Sequence, residues 1–414
     1  MGKIACCRKN CMKKTFFLTI VIATLSSTSS ISKAETIAAL IEDRLERALL
    51  QYKWMAESLQ DCPELLPRSI DADGNLLTTQ SGGWVSGFLP GSLWYLYQYS
   101  NDSKYLDYAQ LYAARIEKEK YNKGTHDLGF MLYCSFGNAY RMTGDSVYRD
   151  ILLTGAESLS TRFNPLIGCI KSWDFNQAQW QFPVIIDNMM NLEFLFWASR
   201  TSGDPKYRDI CISHADITME NHFRPDYSSY HVVSYDTVTG QVEKKNTHQG
   251  YADESAWARG QVWGLYGYVV MYRETQDFQY LEQAKNIAAF LLHHPNLPTD
   301  KIPYWDFNAP NIPNALRDAS SGAIMASALI ELSEYVDREL AENYLSVAET
   351  QLRTLSSPEY FAEKGTNGNF ILKHSVGHLP GNSEVDVPLT YADYYYIEAL
   401  MRYKVLLDNK KTYF

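Results

Sequence analysis

Two aspartates stand directly in front of long apolar stretches and are the residues best suited to acid–base chemistry. Asp187 lies in PVIIDNMMNLEFLFW, residues 183–197, and Asp127 lies in THDLGFMLYCSFGNAY, residues 125–140. A carboxylate among apolar side chains loses hydration, which raises its pKa, so Asp187 is predicted to hold a proton near neutral pH and to deliver it. The alternative is that Asp187 only caps the helix that begins at Asn188. Because Asp127 has the same setting, the two carboxylates are expected to face one cavity.

A polar and aromatic set in the loops between helices is the predicted binding surface. In THQGYADESAWARGQVW, Trp257, Arg259 and Trp263 are predicted to present two indole faces and a guanidinium to one ligand. The guanidinium fork suits a carboxylate. The alternatives are a salt bridge from Arg259 to Asp253 or Glu254, and core packing of the two tryptophans. The other loop residues assigned to this surface are Trp84, His231 and Gln249.

Motifs for metals and cofactors are missing from the sequence. There is no HExxH pattern, and the adjacent His293 and His294 cannot face one ion from a helix. No GxSxG elbow, phosphate-binding glycine loop or CxxC spacing occurs. The sequence therefore predicts chemistry by carboxylates, with no metal and no cofactor.

The composition is that of a globular protein with many aromatic residues. The 414 residues are 46% hydrophobic and 14% aromatic, with 30 Tyr and 9 Trp. Most of the tyrosines are expected to pack helices together, and a few tryptophans to stack on sugar rings. A net charge of −10 argues against a nucleic-acid partner. This net charge does not exclude a small anionic substrate, because the charge of a nearby arginine outweighs the field of the whole protein.

The N-terminus has the pattern of a bacterial signal peptide. Two lysines precede the apolar run 16–25, and Ala34 closes a small-x-small cleavage pattern. Residues 1–34 are therefore predicted to direct export to the periplasm, with translation starting at Met12. The run is too short for stable membrane insertion. Residues 35–414 are predicted to form a single domain, because no linker or low-complexity tract divides them.

A helical unit recurs along the chain. In each copy a polar turn carries an Asp, a Tyr follows three residues later, and an amphipathic helix begins. About twelve helices in six pairs are predicted, so the fold class is all-α. An open solenoid and a closed toroid both fit, and the long aromatic loops at one end favour the toroid with a pocket at its mouth. The turns contain Asp102, Asp145, Asp204, Asp277 and, more weakly, Asp337.

Three further features complete the prediction of the architecture. The one β-like segment, residues 228–245, has two alternating runs about Gly240 and is placed as a small β-hairpin beside the pocket. Asp318 and Tyr391 are predicted to cap or pack helices.

Five blocks, in order, carry a family resemblance. WVSGFLPGSLW, HDLGFM, IIDNMMNLEF, HQGYADESAWARGQVWGLYGY and RDASSGAI resemble the unsaturated glucuronyl hydrolases, glycoside hydrolase family 88. The similarity runs from about Trp84 to the C-terminus. It implies an (α/α)6 barrel that acts on oligosaccharides with a 4,5-unsaturated uronic acid at the non-reducing end, as left by polysaccharide lyases.

The resemblance also implies residue roles. Asp187 matches the family's acid/base and Asp127 its second essential carboxylate. The implied reaction hydrates an enol ether: the acid protonates C4 and water adds at C5, so carboxylate separation does not report stereochemical outcome in the usual way. The positions that match substrate contacts are Trp84, His126, His231, Gln249, Trp257, Arg259 and Trp263.

One departure from the family pattern concerns sulfate. Some members that prefer sulfated disaccharides carry a Ser-x-x-Ser-x-Lys run, where this chain has Ser375, His378 and Pro380, so a sulfate preference is not implied. Two alternative functions remain at this stage. One is an unsaturated rhamnogalacturonyl hydrolase acting on pectin fragments, and the other is an exported protein that binds acidic oligosaccharides without cleaving them.

Overall fold

The computed structural model describes residues 35–408, which are mostly helical. The predicted signal peptide, residues 1–34, lies outside the described residues. None of the helices within 35–408 is long and apolar enough to cross a bilayer. The α-helices of this region are α1 (Ile37–Leu59), α2 (Phe88–Ser100), α3 (Ser103–Ala114), α4 (Asn138–Thr143), α5 (Ser146–Ser160), α6 (Leu192–Ser202), α7 (Pro205–His222), α8 (Ala258–Thr275), α9 (Phe278–His293), α10 (Ala319–Leu332), α11 (Arg338–Leu355) and α12 (Thr390–Leu407).

Less regular helices extend two of these elements. A π-helix, Gly129–Gly137, runs into α4, and a 3-10 helix, Ile186–Asn191, runs into α6. Two short 3-10 helices cover Glu117–Tyr121 and Asn367–Asn369. The predicted count of about twelve helices is confirmed for the described part of the chain.

The helices form two concentric rings. The inner ring consists of α2, the π-helix with α4, α6, α8, α10 and α12, and each contacts the next. Helices α3, α5, α7, α9 and α11 pack outside it, and α1 packs on α2 and α12. Because α12 contacts α2, the ring is closed, and the open solenoid is excluded. Inner helices are buried over most of their length around the ring, and in α10 every residue is buried.

The recurring Asp and Tyr residues explain how the outer ring is assembled. Each Asp accepts a hydrogen bond from a backbone N–H in the first turn that follows, and so caps the helix. The Tyr then reaches the preceding outer helix: Tyr280 of α9 donates to Asp216 of α7 at 2.7 Å, and Tyr105 of α3 donates to the Leu49 carbonyl of α1 at 2.8 Å. The capping residues are Asp102 of α3, Asp145 of α5, Asp204 of α7, Asp277 of α9 and Asp337 of α11.

Short antiparallel strands lie in the connections between the helices. The prediction of a single β-like segment was wrong, because these strands have two to five residues, too few for alternation to stand out. The predicted hairpin exists as β6–β7, but β5 joins it as a third strand. The strands are β1 (Leu66–Ile70), β2 (Leu76–Thr79), β3 (Phe163–Asn164), β4 (Cys169–Ile170), β5 (Phe182–Ile185), β6 (Val232–Tyr235), β7 (Val242–Asn246), β8 (Ser375–His378) and β9 (Ser383–Val387).

Candidate active site

A pocket of about 380 Å³ lies where the inner helices begin. The N-terminal end of a helix carries partial positive charge, so the convergence of several such ends favours a negatively charged ligand, despite the net charge of −10. Six of the nine predicted site residues line this pocket: Trp84, His126, Asp127, Asp187, Gln249 and Arg259. The two carboxylates therefore face one cavity, as expected.

Asp187 lies in the first turn of the 3-10 helix, directly after β5. The N-cap of that helix is Ile185, so the alternative that Asp187 is only a cap was wrong. Its side chain is 12% exposed. Burial raises the pKa of Asp187 to about 6, although the charges of His126 and Arg259 act in the opposite direction. Asp127 adds a smaller upward contribution. A carboxyl group with this pKa holds and releases a proton near neutral pH.

His231 lies behind Asp187 and is held in one tautomer. Its Nδ1 accepts the backbone N–H groups of His248 and Gln249, both at 3.1 Å, so Nε2 carries the ring proton. Nε2 is 3.7 Å from Asp187 Oδ2, and neither atom has a hydrogen-bond partner within the described residues. Burial lowers the pKa of His231 well below its ordinary value, so the ring is neutral. Nε2–H is thus placed to stabilise the Asp187 carboxylate after proton release.

Strand pairing brings His231 to this position. Ile185 of β5 pairs with Val232 of β6, and the N–H of Ile186 donates to the His231 carbonyl at 3.1 Å. Asp187 and His231 therefore both lie just beyond the paired positions of the same small sheet. The strand β5, which the sequence did not reveal, is what joins these two residues.

Asp127 has the opposite electrostatic setting. Its side chain is 19% exposed, with His126 Nε2 3.2 Å from Oδ1 and the Thr125 hydroxyl donating to Oδ2 at 2.5 Å. Burial by itself would raise the pKa of Asp127, but His126, Thr125 and Arg162 together outweigh it and hold the pKa below its ordinary value. The pocket therefore contains one carboxyl that keeps a proton and one that is ionised, the division that acid–base catalysis requires.

The Arg259 side chain is buried, and its hydrogen-bond partners are all within the protein. It makes a salt bridge with Asp318 at 3.3 Å, so the predicted alternative partners, Asp253 and Glu254, were wrong. Its two terminal nitrogens also donate to the carbonyls of Val376 and Gly377. The guanidinium thus fixes β8 at the pocket. Asp318 also accepts the N–H of Ser320 at 3.1 Å and caps α10, which confirms its predicted capping role.

The two predicted indole platforms do not line the pocket. Trp257 packs between His231 and Arg259, with its ring centroid 4.5 Å from the His231 ring. Trp263 is buried in the core, 5.2 Å from the Phe130 ring and 5.3 Å from the Tyr395 ring. Trp263, on the inner helix α8, contacts the π-helix and α12, whereas Trp257, the N-cap residue of α8, contacts the loop residue His231 and Arg259 of its own helix. The core-packing alternative is the correct one for both tryptophans.

Several pocket residues were not assigned from the sequence. Trp173 and Phe175 stack at 4.8 Å and form an aromatic wall, which the aromatic-rich loop SWDFNQAQW offered as a signal. Tyr391 packs as predicted, 4.9 Å from Trp84, but it also lines the pocket, and its hydroxyl has no hydrogen-bond partner within residues 35–408. The remaining unassigned side chains include Arg68, His248, His378 and Glu384.

A larger cavity of about 540 Å³ lies inside the ring, towards the C-terminal ends of α4, α6 and α8. Phe130 borders both cavities. Charged groups of the larger cavity have partners in the protein, such as the Arg273–Glu193 bridge at 2.5 Å and the hydrogen bond that Tyr266 donates to Glu398 at 2.9 Å. The carboxyl ends of helices carry partial negative charge, so this cavity does not favour an anion.

Metal-binding geometry is not found in the described part of the chain. No three His, Cys, Asp or Glu side chains between residues 35 and 408 are grouped to hold an ion. The four cysteines of this region are free thiols: Cys62, Cys134, Cys169 and Cys211.

Comparison with known proteins identifies close relatives. The sequence model of Glycosyl Hydrolase Family 88 matches residues 68–398. The unsaturated glucuronyl hydrolase of Formosa agariphila is 48% identical over 368 residues, which cover 89% of this chain and 90% of the relative.

Solved structures agree with the sequence matches. The crystal structure of an unsaturated glucuronyl hydrolase specific for heparin has a TM-score of 0.86 and 50% identity, over 89% of this chain and 98% of that one. An aspartate-to-asparagine variant of the Streptococcus agalactiae unsaturated glucuronyl hydrolase, complexed with dGlcA-GalNAc6S, has a TM-score of 0.76 and 30% identity, over 90% and 93% of the two chains.

These similarities confirm the predicted (α/α)6 barrel and the predicted enzyme class, an unsaturated glucuronyl hydrolase. The alternative of a non-catalytic binding protein is therefore set aside. The chain belongs to Glycosyl Hydrolase Family 88.

Proposed function

We propose that this pocket releases a 4,5-unsaturated uronic acid from the non-reducing end of glycosaminoglycan-type oligosaccharides, with Asp187 as the acid. The observation that carries this assignment is the contrast between the two carboxyl groups of the pocket. Asp187 has a pKa raised to about 6 by burial, whereas the pKa of Asp127 is held low by His126 and Thr125. Protonated and ionised carboxyl groups facing one cavity suit the hydration of an enol ether.

The proposed reaction begins at C4 of the uronate. Asp187 donates its proton to C4, the electrons of the C4=C5 bond form the new C4–H bond, and positive charge develops at C5 and the ring oxygen. Water then adds to C5 and gives a proton back to the Asp187 carboxylate. The resulting C5 hemiketal opens to a ketone, and the hemiacetal left at C1 releases the neighbouring sugar. One water molecule is consumed, and Asp187 ends protonated as it began.

The neighbours of Asp187 have separate roles in these steps. Because Oδ2 of Asp187 is buried against His231, Oδ1 is the oxygen available to the pocket. Nε2–H of His231 stabilises the negative charge that Asp187 acquires when C4 is protonated. Ionised Asp127 stabilises the positive charge that develops at C5.

Substrate binding uses the positive end of the barrel. The starts of the inner helices, together with the buried charge of Arg259, provide positive potential for the uronate carboxylate. Trp84 and the stacked Trp173–Phe175 pair offer ring faces on which sugars stack. The substrate class is proposed from the relatives, one of which is specific for heparin and another of which binds dGlcA-GalNAc6S.

The test uses unsaturated disaccharides produced by lyases from chondroitin, hyaluronan and heparin. The conjugated alkene of each substrate absorbs in the ultraviolet, and hydration removes that absorbance. The wild-type chain should bleach it, and Asp187→Asn should bind the same disaccharides with little or no turnover. Asp145→Asn is the matched control, since an asparagine at this position still caps α5 and lies outside the pocket. Turnover by Asp187→Asn at the wild-type rate would contradict the assigned role.

We propose, separately, that the chain is exported to the periplasm by residues 1–34. The support is the order of two lysines, the apolar run 16–25 and the small-x-small pattern that ends at Ala34. Expression in a Gram-negative host, followed by fractionation and N-terminal sequencing, tests the proposal. A periplasmic product beginning at Glu35 is expected, and a product that retains Gly2 would refute both the cleavage and the start at Met12.

A further inference from the structure

Two arginines border the active-site pocket, and they differ in accessibility. Arg259 is 1% exposed, and its terminal nitrogens are engaged by Asp318 and by two backbone carbonyls of β8. The Arg68 side chain is 35% exposed and lines the same pocket. Arg68 is therefore the cation on the pocket wall that a ligand reaches without displacing a buried contact.

Arg68 of β1 is held by Glu384 of β9. Its Nε donates to Glu384 Oε1 at 2.6 Å and its Nη2 donates to Oε2 at 3.0 Å, so one edge of the guanidinium is fully used. Its third nitrogen, Nη1, donates no hydrogen bond within the described residues. The bidentate pair thus fixes the orientation of Arg68 and leaves one donor for a ligand.

Glu384 is itself held in place. Its side chain is 9% exposed, and a Cβ added at Gly377 would lie 2.6 Å from Glu384 Oε2, so the carboxylate packs directly on the backbone of β8. A buried, fixed carboxylate beside Arg68 compensates the arginine's charge when no ligand is present. An uncharged sugar therefore enters without leaving an unpaired guanidinium, and an anionic group has to share Arg68 with Glu384.

The substrates of the proposed reaction differ in their number of negative charges. Every unsaturated uronate carries one carboxylate, and a sulfate ester adds a second anionic group on some glycosaminoglycan disaccharides, as in dGlcA-GalNAc6S. We propose that Arg68 and Glu384 form a subsite that senses this second charge, with Arg68 Nη1 donating to a sulfate ester and Glu384 limiting how strongly sulfate is preferred. This inference rests on the proposed function.

The experiment compares kcat/KM for dGlcA-GalNAc6S with kcat/KM for dGlcA-GalNAc in single-charge variants. Glu384→Gln removes the competing carboxylate and should raise the sulfated-to-unsulfated ratio about tenfold, mainly through a lower KM for the sulfated substrate. Arg68→Gln leaves Glu384 facing the pocket and should lower the ratio by about the same factor. Arg68→Lys keeps a cation and should retain part of the preference.

The decisive result is that the sulfated-to-unsulfated ratio of kcat/KM rises in Glu384→Gln and falls in Arg68→Gln. If the ion pair only holds β1 against β9, both substitutions break the same contact and should impair both substrates alike, which would overturn the proposal. Equal loss on both substrates in Arg68→Gln alone would assign Arg68 to the shared carboxylate and would also overturn it. Arg338→Gln, in an exposed ion pair of α11, makes the same charge change away from the pocket and should leave the ratio unchanged.

The outcome is separable from failure of the proposed function. Thermal unfolding of each variant shows whether it is folded before its kinetics are compared. If wild-type protein hydrates neither disaccharide, the proposed function fails. If it hydrates them and the ratio does not respond to Arg68 or Glu384, only the charge-sensing subsite fails.

Discussion

Asn191 Oδ1 accepts the backbone N–H of Gly129 at 2.9 Å, which joins the helix that carries Asp187 to the helix that follows Asp127. The same oxygen accepts the N–H of Phe130 at 3.3 Å. Asn191 is fully buried, and a Cβ on residue 129 would lie 2.5 Å from its Oδ1, so the two segments are in direct contact. Asn191 and Gly129 therefore help to fix the relative position of the two carboxylates, together with Ser172, which accepts the N–H of His126 on its carbonyl and the N–H of Ile185 on its hydroxyl.

Replacing the Asn191 amide oxygen should slow the reaction more than it weakens binding. Asn191→Leu removes the acceptor, leaves two buried N–H groups unpaired and lets the carboxylates drift, so kcat should fall at least tenfold with a smaller change in KM. Asn191→Asp keeps an oxygen in place and should restore much of kcat, because Nδ2 of Asn191 has no hydrogen-bond partner within residues 35–408. Steady-state kinetics with unfolding curves make the measurement. Equal kcat in the wild type and Asn191→Leu would show that the hydrogen bonds accepted by Asn191 do not position the carboxylates.

The pH dependence of kcat/KM should reflect the two carboxyl groups. Burial raises the pKa of Asp187 to about 6, and the acid must be protonated, so activity should fall as pH rises through about 6. His126 and Thr125 help to hold the pKa of Asp127 below its ordinary value, so the acidic limb should lie below about pH 4. The profile is measured with an unsulfated disaccharide at constant ionic strength. An alkaline limb near pH 4 would contradict burial as the cause.

Asp187 should also make the stability of the fold depend on pH. Its folded-state pKa of about 6 exceeds the unfolded value of about 3.9, so the folded state binds more protons between these values and stability falls as pH rises through this window. Above pH 6 the buried charge costs up to about 3 kcal/mol. Asp187→Asn should therefore raise the free energy of unfolding at pH 7.5 and change it little at pH 4. Denaturant titrations at the two pH values provide the comparison.

Tyr391→Phe should separate stability from binding. The Tyr391 hydroxyl is buried without a hydrogen-bond partner in the described part of the chain, so its removal should leave the free energy of unfolding unchanged or raise it by up to about 1 kcal/mol. Because Tyr391 lines the pocket, we expect the hydroxyl to contact the substrate, and its loss should raise KM severalfold. Calorimetry and kinetics on the same sample test both parts. Unchanged KM would place Tyr391 in the packing role alone.

The capping aspartates should affect stability without affecting chemistry. Asp204 accepts the N–H of Lys206 at 3.0 Å, and Asp277 accepts that of Gln279 at 3.1 Å, both on the outer ring. Asp204→Ala and Asp277→Ala should each lower the free energy of unfolding by about 1 kcal/mol. Asparagine at either position should restore most of the loss. Reduced kcat in these variants would show that the outer ring influences the pocket.

The helical repeat was predictable because its signals are local. In each of four outer helices a capping Asp is followed three residues later by a Tyr. The Asp accepts a backbone N–H of the first turn, and the Tyr contacts the preceding outer helix. Asp187 and Asp127 were also identifiable, since an aspartate before an apolar stretch is visible in the sequence. The short strand β5 was not, because four residues are too few to show a period.

The sequence by itself determined the helical pairs and, through ordered blocks, the family, and it pointed to two aspartates that line one pocket. Only the tertiary structure decided that Trp257 and Trp263 face the core and that Arg68 meets Glu384, 316 residues away. The physical reason is that inner helices such as α8 are apolar around most of their circumference, so no polar stripe in the sequence shows which side chains face the pocket. Closure of the ring sets those directions, and it brings together residues that no local pattern connects.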